Sequence, residues 1–184
     1  AQRSVQDIEH SANRVVELVN RIRNFMRPSA AKRERVNVQE LAQDVLQILA
    51  QEIRSENVTF AFDFEPGAWE IWADRVQLSQ IFLNVYRNAI QAMRESPQKK
   101  IHVTGEITPE FLVLRIQDSG PGLAEDYKGK VGTPFMTSKT DGMGLGFSIS
   151  KGIAETHGGH LRISNAQGGG AVVELSLPLV AVIG

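Results

Sequence analysis

The first stretch of the chain has apolar residues at alternating steps of three and four, as in the seam of a coiled coil. Pro28 disfavours the helical conformation at Arg27, so the pattern predicts one long helix over residues 1–28. A sustained period of about 3.5 residues favours a helix that packs against another chain. The alternative is an amphipathic helix that lies on its own domain. The seam positions are Val5, Ile8, Ala12, Val15, Val19, Ile22 and Met26.

Residues 29–36 form a predicted basic linker, and residues 37–184 have the pattern of a compact domain. Because its last strands are consecutive, this pattern favours an α+β fold, a two-layer α/β sandwich with helices on one face of a sheet. Residues 119–143 are glycine-rich and have no sustained period; a loop of this length in a compact domain is typically functional. We predict helices over 38–54, 74–95 and 145–157, and strands near 58–64, 69–72, 100–107, 111–118, 160–165 and 171–178.

The composition excludes several classes of protein. The chain has 184 residues, no cysteine and a formal net charge of −1. It therefore has neither a disulfide framework nor a thiolate metal site, and it lacks the basic character of a nucleic-acid-binding protein. No apolar run approaches the ~20 residues that a membrane-spanning helix needs. We expect no nucleic-acid partner and no membrane contact by this chain.

A stripe of amide side chains runs beside the apolar face of the predicted helix over 74–95. Asn84 and Asn88 lie one turn apart on this stripe, at the border between core and solvent. Asparagine is a poor residue for a helix interior, because its amide competes for backbone hydrogen bonds. The stripe is therefore either an ordinary polar border or a site for a ligand that binds neutral oxygens. A magnesium ion carried by phosphates is such a ligand.

Two glycine motifs stand near the ends of the long loop. Asp-Ser-Gly-Pro-Gly at 118–122 follows a strand; its carboxylate can accept a hydrogen bond from an exocyclic amine, and its glycines allow close backbone approach. Asp-Gly-Met-Gly-Leu-Gly at 141–146 leads into a helix whose N-terminal N–H groups favour phosphate oxygens. It lacks the Gly-Lys-Ser/Thr ending of a Walker loop, and no strand directly precedes it as in a Rossmann fold. Each motif alone is compatible with a simple turn, but their joint order is uncommon.

This order is similar to that of the catalytic domain of bacterial sensor histidine kinases, one branch of the gyrase, Hsp90 and MutL ATPase group. The sequence of residues 137–146 is similar to the corresponding segment of the oxygen-sensing and C4-dicarboxylate-sensing kinases. The resemblance covers about residues 34–180 and implies a Bergerat ATP-binding fold. Residues 1–28 then resemble the second helix of the dimerisation and phosphotransfer domain. The matching segments are 84–88 (N box), 118–122 (G1 box), 133–135 (F box) and 142–146 (G2 box).

The resemblance implies ATP and Mg²⁺ as cofactors and a role for each motif residue. Asp118 would hold the adenine amino group, and Asn88 would ligate the metal ion. Asn84 would assist at the phosphate end. Lys139 would reach the γ-phosphate, with a solvated lysine as the alternative. The remaining implied nucleotide contacts are Gly120, Gly122, Thr133, Phe135, Gly142, Gly144, Leu145 and Gly146.

The sequence departs from the family pattern at two positions and lacks one expected feature. Ala171 stands where a threonine often helps at the adenine, and Phe147 stands where leucine is usual. A phosphoacceptor histidine usually precedes an acidic residue and has a proline shortly after it. Because His10 precedes Ser11, it is a poor candidate, and we expect the acceptor outside this chain. We expect His157 at a helix C-terminus and the other two histidines, His102 and His160, in strands.

The implied function is transfer of the ATP γ-phosphoryl group to a histidine that this chain does not contain. The implied partners are ATP, the dimerisation and phosphotransfer helix, a response regulator receiver domain and a second copy in a homodimer. The implied location is cytoplasmic, including the cytoplasmic part of a membrane-bound sensor whose sensory segment lies upstream. Two alternatives are a nucleotide-binding interaction module without transfer activity and a gyrase-type or MutL-type ATPase. Those ATPases have a glutamate base where this chain has Asn84.

Overall fold

Two of the described helices begin where a short polar side chain accepts a hydrogen bond from a backbone N–H group of the first turn. In the computed structural model, which describes residues 32–124 and 146–179, Asn37 accepts a hydrogen bond from the Glu40 N–H at 3.1 Å. Asp74 accepts one from the Gln77 N–H at 3.0 Å. The chain divides into two units, Ala1–Lys32 and Arg33–Gly184. The predicted N-terminal helix and residues 125–145 lie outside the described residues.

Along the described part of the second unit, helices alternate with single strands or with pairs of consecutive strands. None of the described helices combines the length and the apolar character that a membrane span requires. In chain order the elements are β1 (Glu34–Asn37), α1 (Val38–Ile48), α2 (Ala50–Ser55), β2 (Thr59–Phe64), β3 (Glu70–Ala73), α3 (Arg75–Ala92), β4 (Lys100–Ile107), β5 (Phe111–Asp118), α4 (Gly146–Thr156), β6 (His160–Asn165) and β7 (Ala171–Pro178).

The predictions for the last four strands are confirmed residue by residue, and the long helix is confirmed with shorter ends. The prediction of one helix over 38–54 is wrong, because α1 and α2 are separated at Leu49. Leu49 leaves helical geometry with φ −91° and ψ 4°. Its side chain is fully buried in the core. The apolar spacing continues through this residue, so the spacing alone did not reveal the break.

Residues 34–36 belong to a strand, although the sequence assigned them to the linker. Strand β1 pairs antiparallel with β3, and Val36 lies opposite Ile71. Both of these side chains are buried. In a strand this short, one buried apolar residue produces no visible alternation, and its pairing partner lies far along the chain.

The main sheet has five strands in the order β2-β4-β5-β7-β6. β2 runs parallel to β4, and the other neighbouring pairs are antiparallel. One face of the sheet forms the core with the helices, while the opposite face has polar side chains such as Arg115 and Glu174, which form an ion pair. Helix α3 contributes the largest apolar stripe to this core: Leu78, Ile81, Phe82, Val85, Tyr86, Ala89 and Ile90. The predicted α+β two-layer architecture is confirmed.

An aromatic cluster packs against the core beside the edge strand β2. The rings of Phe64 and Trp69 meet edge to face, with centroids 5.1 Å apart. Gly105 of β4 lies directly under both rings, and a Cβ atom at this position would overlap them. The glycine therefore allows the aromatic pair to lie close to the sheet.

Gly105→Ala is expected to lower the free energy of unfolding by about 1–3 kcal/mol, because the added methyl group overpacks this contact. The measurement is urea denaturation followed by circular dichroism. Gly152→Ala is the matched control, because a Cβ atom there meets nothing within 4 Å. That control is expected to stabilise α4 by about 0.5–1 kcal/mol. Equal effects of the two substitutions would contradict the packing argument.

Candidate nucleotide-binding site

Asp118 ends strand β5 and is held in place by backbone groups from two segments. Its Oδ1 atom accepts hydrogen bonds from the Gly120 N–H at 2.8 Å and from the Ala171 N–H at 3.2 Å. The side chain is 8% exposed. Two N–H donors on one oxygen stabilise the negative charge and restrict the orientation of the carboxylate. The carboxylate is therefore fixed at the end of the sheet where β5 stops and β7 starts.

Two glycines with positive φ lie in the turns around Asp118. Gly122 has φ +78° and Gly170 has φ +82°, both in the region that favours glycine. A Cβ atom at Gly170 would overlap the carbonyl oxygen of Asp118. This close contact brings the N–H of the following residue, Ala171, to the carboxylate. The turn at 118–122 is thus built jointly with the start of β7.

Ser119 ties the same turn to the start of β4. Its Oγ atom accepts a hydrogen bond from the Lys100 N–H at 3.0 Å and donates one to the Gln98 carbonyl at 2.8 Å. It also lies 3.3 Å from the sulfur of Met93, directly after α3. The turn that presents Asp118 is therefore supported by the sheet and by the end of α3.

The amides on α3 meet the first turn of α4. Asn84 Nδ2 donates to the Gly146 carbonyl at 3.4 Å and to Ser150 Oγ at 3.2 Å. Ser150 Oγ donates in turn to the Gly146 carbonyl at 2.9 Å. A Cβ atom built at Gly146 would lie 3.8 Å from Asn88 Nδ2. The exposed Asn88 side chain therefore lies beside the N-terminal end of α4.

Helix α3 also connects this junction to the Asp118 turn. A Cβ atom at Gly120 would lie 3.4 Å from the Ala92 carbonyl and 3.5 Å from Met93 Cγ. Ala92 follows Asn88 by one helical turn, so the two groups are neighbours along one helix. The structure thus brings together all the predicted site residues that it describes. The predicted residues Thr133, Phe135, Lys139, Gly142, Gly144 and Leu145 lie outside the described residues.

The donor set fits a metal ion that is already carried by phosphates. Within residues 32–124 and 146–179, no group of three or more His, Cys, Asp or Glu side chains could hold a metal. Mg²⁺ bound to substrate phosphates needs only one or two protein oxygens. Asn88 offers an exposed amide oxygen next to a helix N-terminus, where phosphate oxygens are favoured.

The pKa values of Tyr86, Glu56 and Arg115, which lie outside the motif segments, are shifted. Burial raises the pKa of Tyr86, whose hydroxyl group donates to the Ala42 carbonyl. The hydrogen bond from Lys99 lowers the pKa of Glu56. The hydrogen bond to Glu106 raises the pKa of Arg115. These shifts reflect core burial and surface ion pairs.

Residues 73–181, more than half of the chain, match the family described as histidine kinase-, DNA gyrase B- and HSP90-like ATPases. The chain belongs to this family. The sensor protein FixL of Bradyrhizobium diazoefficiens is 31% identical over 91% of this chain and 33% of FixL. The C4-dicarboxylate transport sensor protein DctB of Rhizobium meliloti is 28% identical over 92% of this chain and 27% of DctB. The chain thus spans about a third of the length of these relatives or less.

Solved histidine kinase structures have the same fold. The catalytic domain of histidine kinase ThkA superposes with a TM-score of 0.72 at 31% identity, covering 80% of this chain and 98% of that domain. ThkA in complex with the response regulator protein TrrA matches 92% of this chain and 49% of that kinase, with a TM-score of 0.72 and 25% identity. The resemblance to a sensor histidine kinase catalytic domain is confirmed, and with it the expected ATP-binding fold of this ATPase family.

Three features of the site were not predicted from the sequence. The family threonine is replaced by Ala171, yet the backbone N–H of this residue contacts Asp118. Ser150 supports Asn84, and Asn165 binds the backbone of Leu123 through both ends of its amide. The glycine run at 168–170 was a visible signal for a tight turn beside β7. The Asn165 contact had no signal, because its partner is a backbone segment distant along the chain.

The histidine predictions for the described region are confirmed, with one addition. His102 and His160 lie in β4 and β6. His157 follows α4, and its Nδ1 atom lies 2.8 Å from the Ile153 carbonyl at the helix end. In addition, its Nε2 atom accepts a hydrogen bond from the Asp74 N–H at 3.1 Å. This buried contact links the end of α4 to the start of α3.

Phe147, the second departure from the family, packs against the core from the first turn of α4.

Asn84→Ala and Asn88→Ala are expected to affect stability differently. Both substitutions gain similar helix propensity. Asn84→Ala also loses the link to α4, so its free energy of unfolding should lie about 1 kcal/mol below that of Asn88→Ala. Urea denaturation of both variants in the absence of nucleotide measures the difference. Equal unfolding free energies would show that the Asn84 contacts contribute nothing to the junction.

Proposed function

We propose that this chain is the catalytic part of a sensor histidine kinase, which binds ATP with Mg²⁺ and donates the γ-phosphoryl group to a histidine outside the chain. One observation carries the proposal. The Asp118 turn, the Asn84–Asn88 pair and the first turn of α4 lie side by side along one helix, α3. A fixed carboxylate at one end and a helix N-terminus at the other match the two ends of ATP.

Asp118 is proposed to select the adenine base. A carboxylate accepts hydrogen bonds, so it favours the exocyclic amine of adenine over the carbonyl oxygen that guanine has at the same position. The Gly120 and Ala171 N–H groups hold the acceptor in place before the base arrives. Such preorganisation lowers the entropic cost of binding.

The N-terminus of α4 and Asn88 are proposed to bind the phosphate end. Backbone N–H groups at a helix N-terminus stabilise phosphate charge, and the Asn88 amide oxygen is the proposed protein ligand for Mg²⁺. The bound metal would neutralise charge on the phosphate oxygens. Thr133, Phe135, Lys139, Gly142, Gly144 and Leu145 are proposed to complete this end. Lys139 would contact the γ-phosphate.

The contacts of Asn84 favour a kinase over a water-activating ATPase. Its Nδ2 atom donates to the Gly146 carbonyl and to Ser150 Oγ. An amide is no general base for water, and this one is used as a support for α4. A glutamate at this position, as in the gyrase and MutL ATPases, would place a carboxylate against the Gly146 carbonyl. The contacts of Asn84 therefore argue against a water-activating ATPase.

The proposed partners follow from the relatives and from the N-terminal pattern. A response regulator is proposed as phosphoryl acceptor downstream, because ThkA, a structural neighbour, has been solved with TrrA. Residues 1–28 are proposed to pack in a homodimer through the seam of Val5 to Met26. The proposed location is the cytoplasm, where ATP and the receiver domain are available.

Asp118→Asn is expected to weaken ATP binding at least about tenfold, because the amide that replaces the carboxylate removes charge and one acceptor near the base. Calorimetric titration with ATP and Mg²⁺ measures the dissociation constant. Asp63→Asn makes the same chemical change at an exposed position of β2 and should leave binding unchanged. The wild-type chain should prefer ATP to GTP. Unchanged ATP affinity in Asp118→Asn would rule out this assignment.

Phosphoryl transfer is testable with γ-labelled ATP and a separately produced dimerisation and phosphotransfer domain that carries its histidine. We expect acid-labile label on that added domain, unaffected by His10→Gln in this chain, and slow turnover of ATP by the chain alone. ATP binding without transfer would support an interaction module. Rapid turnover by the isolated chain would support a water-activating ATPase, and label lost with His10→Gln would place the acceptor within this chain.

A further inference from the structure

Asn165 binds the backbone of a residue 42 positions earlier through both ends of its side-chain amide. Its Oδ1 atom accepts a hydrogen bond from the Leu123 N–H at 2.6 Å. Its Nδ2 atom donates to the Leu123 carbonyl at 3.1 Å. An amide side chain has the same donor and acceptor as a peptide group, so Asn165 pairs with Leu123 as a neighbouring strand would.

The same contact determines how closely the Asp118 turn approaches β6. Gly122 directly precedes Leu123 and has φ +78°. A Cβ atom there would lie 2.8 Å from Asn165 Oδ1 and 3.1 Å from the Gly170 carbonyl. A side chain at position 122 would therefore displace the Asn165 amide, whereas glycine leaves room for it.

The turn that presents Asp118 is thus held at both ends by one segment, residues 165–171. Asn165 is the last residue of β6 and lies opposite Ala171, the first residue of β7. Between them, the Ala166 N–H donates to the Gly170 carbonyl at 3.0 Å. Ala171 holds Asp118 at the start of the turn, and Asn165 holds Leu123 at its end. This segment has no residue of the four sequence motifs.

We propose that Asn165 is a positioning residue for the nucleotide: it fixes the 118–123 turn in the conformation that binds the base. The inference rests on the proposed function. Asn165 is exposed, so its hydrogen bonds compete with water and add little to global stability. Their effect falls on the turn itself. Without them, the free-energy cost of ordering the turn would lower the affinity for the nucleotide.

Asn165→Asp tests this with a near-isosteric change that keeps the acceptor for the Leu123 N–H and removes the donor to its carbonyl. We expect ATP to bind about tenfold more weakly, because one hydrogen bond is lost and the new carboxylate faces the Leu123 carbonyl, with an unchanged unfolding midpoint in the absence of nucleotide. In the transfer assay KM for ATP should rise while kcat stays near the wild-type value. Gln167→Glu is the matched control, because it adds the same charge at an exposed position of the same turn. It should bind ATP as the wild type does.

Asn165→Ala provides a second measurement without an added charge. We expect a loss of ATP affinity at least as large as that of Asn165→Asp, together with faster hydrogen exchange of the Leu123 amide. Wild-type affinity in both variants would overturn the inference and leave the proposed function standing. An equal loss in Gln167→Glu, or a loss that follows a lowered unfolding midpoint, would also overturn it, since charge or general stability would then explain the effect. A wild-type chain that does not bind ATP would refute the proposed function and this inference together.

Discussion

The arrangement of the site depends on one carboxylate oxygen that joins two strands. Asp118 Oδ1 accepts from Gly120 within its own turn and from Ala171 at the start of β7. The contact requires the backbone of Gly170 to pass against the Asp118 carbonyl, with no room for a side chain. Because β5 and β7 are neighbours in the sheet, the charged group sits where the rigid core ends. A carboxylate held in this way presents its charge in a defined direction at little entropic cost on binding.

Helix α3 connects this carboxylate to the rest of the site. Its buried stripe anchors it over the sheet, and its polar border then has a fixed position. Asn84 supports the first turn of α4, Asn88 lies exposed beside it, and Ala92 contacts the glycine turn. One rigid helix thus aligns features that come from three separate parts of the chain. Our proposal that ATP binds at this surface rests on that alignment together with membership in the ATPase family.

Much of the fold and of the candidate site could be predicted from local sequence patterns. The strand at 100–107 has an alternation that continues to its end, and the bounds of this strand and of the strand at 111–118 were predicted correctly. The amide pair on α3 was identified as a candidate because asparagine is unfavourable within a helix. The turn after β5 was identified because its carboxylate can accept a hydrogen bond and its glycines allow close backbone approach. The break at Leu49 and the strand β1 were missed, because the first leaves the apolar spacing unchanged and the second is too short to show alternation.

Local sequence patterns predicted most of the elements, the class of fold and the chemistry of the motif residues, since these depend on side-chain periodicity and on residue type within a few positions. The tertiary structure decided which backbone groups complete the site. Ala171 offers Asp118 an N–H where the family often has a threonine, and Asn165 binds Leu123 across 42 residues. Backbone donors and acceptors are present at nearly every residue, so residue type does not distinguish the ones that are used. Only strand order and the path of the turns bring particular ones within hydrogen-bonding distance.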